Sequence, residues 1–192
     1  DPANNLNIWV CNIQGGFLGL LLGYSYPPAN MANWPIGQEA PKPGYDGVVL
    51  HYPVVGRNNP NVLLDPNTNQ PMEIWGRTAT HEIGHYLGLR HIWGDGGLFG
   101  GANDCAQSDG IDDTPFANAQ SNFDCNKTSN TCSGTDAYYG FNVPDMVENY
   151  MDYSPYPCTK MFTKQQVELM RYNLKTLRPN VYQLKVTKPD PT

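Results

Sequence analysis

Charge is scarce in this chain, with only 16% of its residues charged at neutral pH. The balance is acidic, at −6, and the 12 Lys and Arg residues are scattered. A nucleic-acid surface needs basic side chains gathered on one face, so that class of partner is excluded. Long apolar runs are missing too. The stretch from Phe17 to Leu22 falls far short of the ~20 residues that cross a bilayer, which leaves no membrane span. No two cysteines form a C-x-x-C pair, which argues against zinc ribbons and redox motifs. The start at Asp1-Pro2 shows no basic, apolar or cleavage-site pattern and reads as a mature, processed product. What is plentiful is Gly, at 19, and Pro, at 17. That composition suits a loop-rich enzyme better than a helical bundle, and 192 residues allow one domain with a substantial core.

Histidine is also rare, at four residues. Three of them fall within Thr80-His81-Glu82-Ile83-Gly84-His85-Tyr86-Leu87-Gly88-Leu89-Arg90-His91. His81 and His85 are four apart and share one face of a helix, about 6 Å apart along its axis. Two imidazole nitrogens placed so can bind one Zn²⁺ at ~2.0–2.1 Å each. Continued on that helix, His91 would point roughly 80° away. It reaches the same metal only if the helix stops and the chain turns back. Gly88 permits that turn, because glycine takes the left-handed conformation at little cost. Three protein ligands leave a coordination position open, the mark of a catalytic site. Glu82, one residue past the first ligand, stands where a general base would act on water. A bare H-E-x-x-H also occurs on solvated helix faces, but Gly88 and His91 together argue against that reading here.

The spacing H-E-x-x-H-x-x-G-x-x-H is the metzincin signature, and Asn149-Tyr150-Met151-Asp152-Tyr153 supplies a Met-turn. Within the metzincins the chain most resembles the pappalysin family. Gly76-Arg77-Thr78-Ala79, Asp112-Asp113-Thr114-Pro115 and Phe162-Thr163-Lys164-Gln165-Gln166 carry the resemblance, which runs from about residue 6 to 178. It implies an α+β fold of two subdomains. The upper one, about 1–91, has a small twisted mixed sheet with the active-site helix. The lower one, about 92–192, is irregular, stapled by disulfides and ended by a helix. The family's opening two strands and backing helix have no counterpart among the 80 residues ahead of His81. The implied activity is that of a secreted zinc endopeptidase, monomeric, acting on extended protein or peptide substrates. An exopeptidase would need a group fixing a substrate terminus, and no motif for one is present. A purely binding domain has no use for Glu82.

Along the chain, Leu6 to Ile13, Phe17 to Tyr26 and Asp46 to Tyr52 read as strands, with Gly15-Gly16 as a break and Pro27-Pro28 and Pro53 as ends. By the resemblance, residues 17–26 form the antiparallel edge to which a substrate adds by backbone hydrogen bonds. His51, inside the third strand, reads as a packed or rim residue. Residues 29–45 and 56–73 read as loops. The active helix is expected from Gly76–Thr78 to about Leu87, burying Ile83 and Leu87, with Tyr86 beside the metal. A last helix starts at Thr163, whose capping box is completed by Gln166. Val167, Met170, Leu174 and Leu177 would form its core stripe, and Arg178-Pro179 its end.

Of the five cysteines, Cys11 lies in an apolar strand and reads as a buried free thiol. Cys105, Cys125, Cys132 and Cys158 suit two disulfides formed in an oxidising compartment, with three pairings open. The resemblance implies Cys105–Cys132 and Cys125–Cys158. Asp109 to Pro115 gathers the oxygen ligands that Ca²⁺ prefers, although an ordinary Asp-rich turn would look alike. The resemblance assigns calcium to Asp109, Asp112 and Thr114, through the carbonyls of the last two. It also places Met151 beneath the zinc and the Tyr153 hydroxyl near the reacting carbonyl. Beyond the Met-turn, Ser154-Pro155-Tyr156-Pro157-Cys158 has no carboxylate. Some pappalysin relatives carry one there and cut before Arg or Lys, so broader cleavage is expected here. Asn126-Lys127-Thr128 is a glycosylation sequon.

Overall fold

The computed structural model describes residues 1–14, 21–65, 69–72, 74–94, 105–121 and 125–183. Its upper part is built on strand β3, Val48–His51, which lies between β1, Ile8–Cys11, and β2, Gly23–Ser25. β1 runs parallel to β3, pairing Ile8 with Val48 and Cys11 with His51. β2 runs antiparallel, pairing Gly23 with Leu50 and Ser25 with Val48. β3 buries Val48 and Leu50 and leaves Val49 and His51 half-buried, the alternation of a strand with one face on a core. Among the described residues each strand is shorter than its apolar stretch, because pairing and not hydropathy sets the ends. The break at Gly15-Gly16 and the first four residues of the second expected strand lie outside the described residues.

Helix α1, Arg77–Tyr86, packs across β2 and β3. Between it and the sheet lies an upper core of Val48, Leu50, Val54, Ile74 and Tyr86, flanked by Ile83 and Leu87. Tyr86 is therefore a core residue and does not flank the metal site. It faces the sheet side of the helix, away from the histidines. β1 lies outside this layer and all four of its residues are exposed. Cys11 is free and exposed, not buried as its apolar neighbours suggest. His51 is half-buried, and its Nδ1 accepts the Ile13 amide at 3.0 Å.

A second core lies below the histidines: Leu89, Ile92, Trp93, Ile111, Ala117 and Met151, with Tyr153, Phe162, Leu169 and Met170 against it. From 105 to 162 the described chain forms no helix and no strand longer than a single bridge. It is cross-linked by Cys105–Cys132 and Cys125–Cys158. Helix α2, Lys164–Thr176, follows, capped by the reciprocal Thr163–Gln166 box. Its buried positions are polar: Gln166 and Asn173. Leu177, expected in its core stripe, is 40% exposed. Leu169 and Met170 pack on the second core, while the helix's fully buried positions meet the Leu87 carbonyl and the Asn149 amide, which need donors and acceptors more than methyl groups. Gln166 exchanges hydrogen bonds with Asn149 at 2.9 and 3.3 Å, and Asn173 donates to the Leu87 carbonyl at 2.8 Å.

A short helical turn, α3, Pro179–Tyr182, ends the described chain. Just before it, buried Arg178 grips the upper part. Its guanidinium makes a fork on the Asp46 carboxylate and donates to the Tyr86 and Tyr26 carbonyls. It also lies over the Tyr86 ring, 3.6 Å from the centroid. A planar guanidinium can satisfy all of these at once, which a lysine cannot.

Candidate active site

Three ring nitrogens define the site. The Nε2 atoms of His81, His85 and His91 lie 3.1–3.2 Å from one another. Two nitrogens bound to one tetrahedral Zn²⁺ at ~2.0–2.1 Å lie ~3.3–3.4 Å apart, close to this triangle. Two of the other nitrogens are aimed at backbone: His81 Nδ1 lies 2.6 Å from the Tyr150 carbonyl, and His85 Nδ1 lies 2.8 Å from that of Leu89. A carbonyl only accepts, so each Nδ1 is the protonated one and each Nε2 presents its lone pair inward. The arrangement fits a metal held by three imidazoles. These are the only three His, Cys, Asp or Glu residues so gathered among the described residues.

The third ligand arrives through the turn that Gly88 makes. The Gly88 amide bonds the His85 carbonyl and the Leu89 amide bonds that of Gly84, a Schellman ending with Gly88 at φ 95°. Any side chain there would also strike Asn173 and Met31, since a Cβ would come within 2.4 and 2.5 Å of them. Trp34 Nε1 donates to the Gly88 carbonyl at 2.9 Å. The ring of His91 then stacks on Trp93, 4.3 Å away and nearly parallel.

Glu82 is buried beside His81, and burial pushes its carboxyl up from 4.5 to about 8. The Ser25 hydroxyl donates to the Glu82 carbonyl at 2.7 Å and lies 3.3 Å from its carboxylate, which pulls the other way. A dication among the imidazoles would favour the ionised carboxylate further. Strand β2 passes so close that a Cβ on Gly23 would come within 3.0 Å of the Glu82 side chain. Neither Ser25 nor Gly23 stands out in the sequence by its pattern, although a glycine inside a strand does signal close approach.

The Met-turn closes the site from below. The Asp152 amide bonds the Asn149 carbonyl at 3.1 Å, and the Met151 amide bonds Asn149 Oδ1 at 2.9 Å. That turn aims the Tyr150 carbonyl at His81 and buries Met151 completely. Tyr153 stands with its ring centroid 5.6 Å from His81 and 4.9 Å from His91. Beside these groups opens a cavity of about 130 Å³ that reaches Thr78 and Tyr156.

The remaining expected residues lie apart from this site. Asp109 is buried, and its Oδ1 accepts the Ile111 amide and the Thr114 hydroxyl at 3.0 and 2.8 Å. Asp112 is exposed. Asp113 points inward instead: Oδ2 accepts the Gln165 amide at 3.0 Å, while buried Oδ1 has no hydrogen-bond partner.

A three-histidine centre on a helix and Schellman turn, a mixed sheet above and a Met-turn below define a metzincin-type metallopeptidase domain. Comparison with known proteins narrows this. The peptidase M43 family, described as "Pregnancy-associated plasma protein-A", matches residues 53–175, and the chain belongs to that family, the pappalysins. It is 32% identical over 176 residues to an extracellular metalloprotease of Arthroderma benhamiae, covering 91% of this chain and 52% of that protein. A Colletotrichum graminicola extracellular metalloprotease is 34% identical over 145 residues, 76% of this chain and 42% of that one. Mature mirolysin of Tannerella forsythia, solved with a cleaved peptide, superposes with a TM-score of 0.64 at 36% identity, over 94% of this chain and 57% of that one. The chain thus spans about half the length of the curated relatives it matches. Membership of the family implies a catalytic zinc.

Proposed function

We propose that this chain is a secreted zinc endopeptidase acting on extended proteins or peptides. Residues 1–192 would work as one catalytic domain, with 1–91 above the cleft and 92–192 below. The observation that carries the reading is the Nε2 triangle of His81, His85 and His91 with buried Glu82 beside it. Zinc bound there supplies an acidified water and a Lewis acid for the scissile carbonyl. Glu82 takes the proton from water and returns it to the leaving amine, a task suited to a carboxyl whose pKa burial raises. Ser25 steadies its carboxylate. Tyr153, by position, offers its hydroxyl to the oxygen that gains charge. Strand β2, at the sheet edge over the site, offers the backbone groups along which a substrate would extend. Secretion is supported by the two disulfides and by the relatives' description as extracellular. No helix among the described residues is long and apolar enough to cross a membrane.

The test is proteolysis of an unfolded protein substrate, followed by chelation and return of zinc. Activity should vanish and come back; hydrolysis indifferent to zinc would reject the mechanism. Calcium is a second part of the proposal, held by Asp109, the carbonyls of Asp112 and Thr114, and additionally Asp113. Its support is the buried Asp113 Oδ1, which lacks any donor and so suits a cation. Melting temperature after chelation should recover fully only with zinc and calcium together. Full recovery with zinc alone would reduce Asp109–Thr114 to a turn.

A further inference from the structure

The cavity beside Glu82 has walls from both parts of the chain, and their chemistry selects what can enter. Leu21 and Leu22 come from the chain entering β2, Thr78 from the first turn of α1, and Tyr156 from beyond the Met-turn. At about 130 Å³ it approaches the ~150 Å³ apolar cavity that takes up benzene. An aromatic ring or branched aliphatic chain fits such a volume.

Away from the reacting groups His81, Glu82 and Tyr153, its polar groups are already engaged. The Thr78 and Tyr156 hydroxyls bond each other at 2.7 Å, and burial raises the Tyr156 pKa, so the phenol stays neutral. Asp152 also lines the cavity, yet Oδ1 accepts the Ser121 amide at 3.2 Å and Oδ2 accepts the hydroxyls of Ser121 and Ser154. A guanidinium or ammonium entering here would shed its water without gaining an uncommitted carboxylate, apart from Glu82 itself.

We propose that this cavity is a specificity pocket for a residue flanking the cleaved bond, and that its uncharged wall of Leu21, Leu22 and Tyr156 makes it select apolar side chains over Arg and Lys. The proposal rests on the peptidase reading above. It assigns Tyr156 as the determinant: an acidic side chain at 156 would supply the missing counter-charge.

The experiment is cleavage-site mapping on a mixed peptide library with zinc-loaded enzyme. Wild type should enrich Leu, Met or Phe at one position flanking the cut, with Arg and Lys depleted there. Tyr156→Phe should keep that preference, and Tyr156→Asp should move it toward Arg and Lys by at least about tenfold. A wild-type requirement for Arg or Lys, the absence of any flanking preference, or an unaltered profile in folded Tyr156→Asp would each overturn the assignment. Should Tyr156→Asp not fold, the wild-type and Tyr156→Phe profiles decide. If nothing is cleaved, the peptidase reading fails by itself. The pocket is then judged by thermal stabilisation with leucyl against arginyl peptides: preference for the first upholds it, and for the second overturns it.

Discussion

Above the histidines the chain is ordered by strand pairing, one helix and an apolar core between them. Below them the described chain up to residue 162 has neither strand nor helix of any length. There the order comes from two disulfides, a small second core, and side chains bonded to backbone. Both parts reach the same reacting centre. The upper part delivers His81, Glu82 and His85 on one rigid helix. The lower part delivers the Tyr150 carbonyl, Met151 and Tyr153 on a turn fixed by the Asn149 amide. Regular structure suits groups that must hold a fixed spacing along the chain. Cross-linked irregular structure suits groups that must come at the centre from several directions.

If that division holds, mutations above and below should fail differently. The largest effect on turnover is expected from Glu82→Gln, which removes the base and leaves the three ligands. Zinc content should stay at wild-type level while kcat falls ~10²–10⁴-fold. Unimpaired turnover at full zinc occupancy would sink the assigned role. Tyr153→Phe takes one hydroxyl from the lower side. A loss on the order of 10²-fold in kcat, with KM and melting temperature little changed, is expected if it steadies the developing charge. Unchanged kinetics would strike it from the site.

The lower part should in turn be the one that depends on its staples. Replacing Cys125 and Cys158 by alanine opens a bridge between residues 33 apart in sequence and should cost ~2–4 kcal/mol of stability. Limited proteolysis of the double variant should cut first in the lower part. Cuts appearing first in α1 would erase the contrast. The last effect is graded, small over any one pH unit, and concerns zinc-free protein and the upper part alone. Glu82 has a folded pKa of about 8 against 4.5 for the free group. The native state therefore keeps a proton that the unfolded chain loses above 4.5. Stability from this source is complete below pH 4.5 and is lost as pH rises towards 8, by at most about tenfold in the folding equilibrium per unit. Urea midpoints measured across that range should fall for wild type, and the slope should shrink in Glu82→Gln.

The same contrast explains what could be read from sequence. The zinc ligands and Glu82 are legible because one helix and one glycine convert spacing directly into position. The α2 cap is legible for the same reason, being a contact between residues three apart. Ser25 and Gly23 lie more than fifty residues from Glu82, and no local pattern links them. Periodicity marks Met170 correctly, since it packs on the second core, and Leu177 wrongly; a stripe of apolar residues does not reveal that α2 also faces the Leu87 carbonyl and the Asn149 amide, where Gln166 and Asn173 belong. In the acidic turn, Asp112 and Asp113 are interchangeable as letters. Only the folded turn directs one to solvent and the other inward. Cys11 looks buried by its neighbours, yet those neighbours are themselves exposed.

The Arg178 grip bears on the order in which the protein comes together. The carbonyls it binds belong to Tyr86 and Tyr26, 92 and 152 residues earlier, and its carboxylate partner to Asp46, 132 residues earlier. Contacts between such distant parts of a chain close slowly, because the loop between them must first be confined. During synthesis α1 is complete long before residue 178 emerges. Until then its last turn has neither Arg178 on the Tyr86 carbonyl nor Asn173 on that of Leu87. The bend that carries His91 to the metal is therefore secured by residues made 86 and 92 positions later, so a ribosome-bound fragment ending before them would hold all three ligands and still lack these anchors.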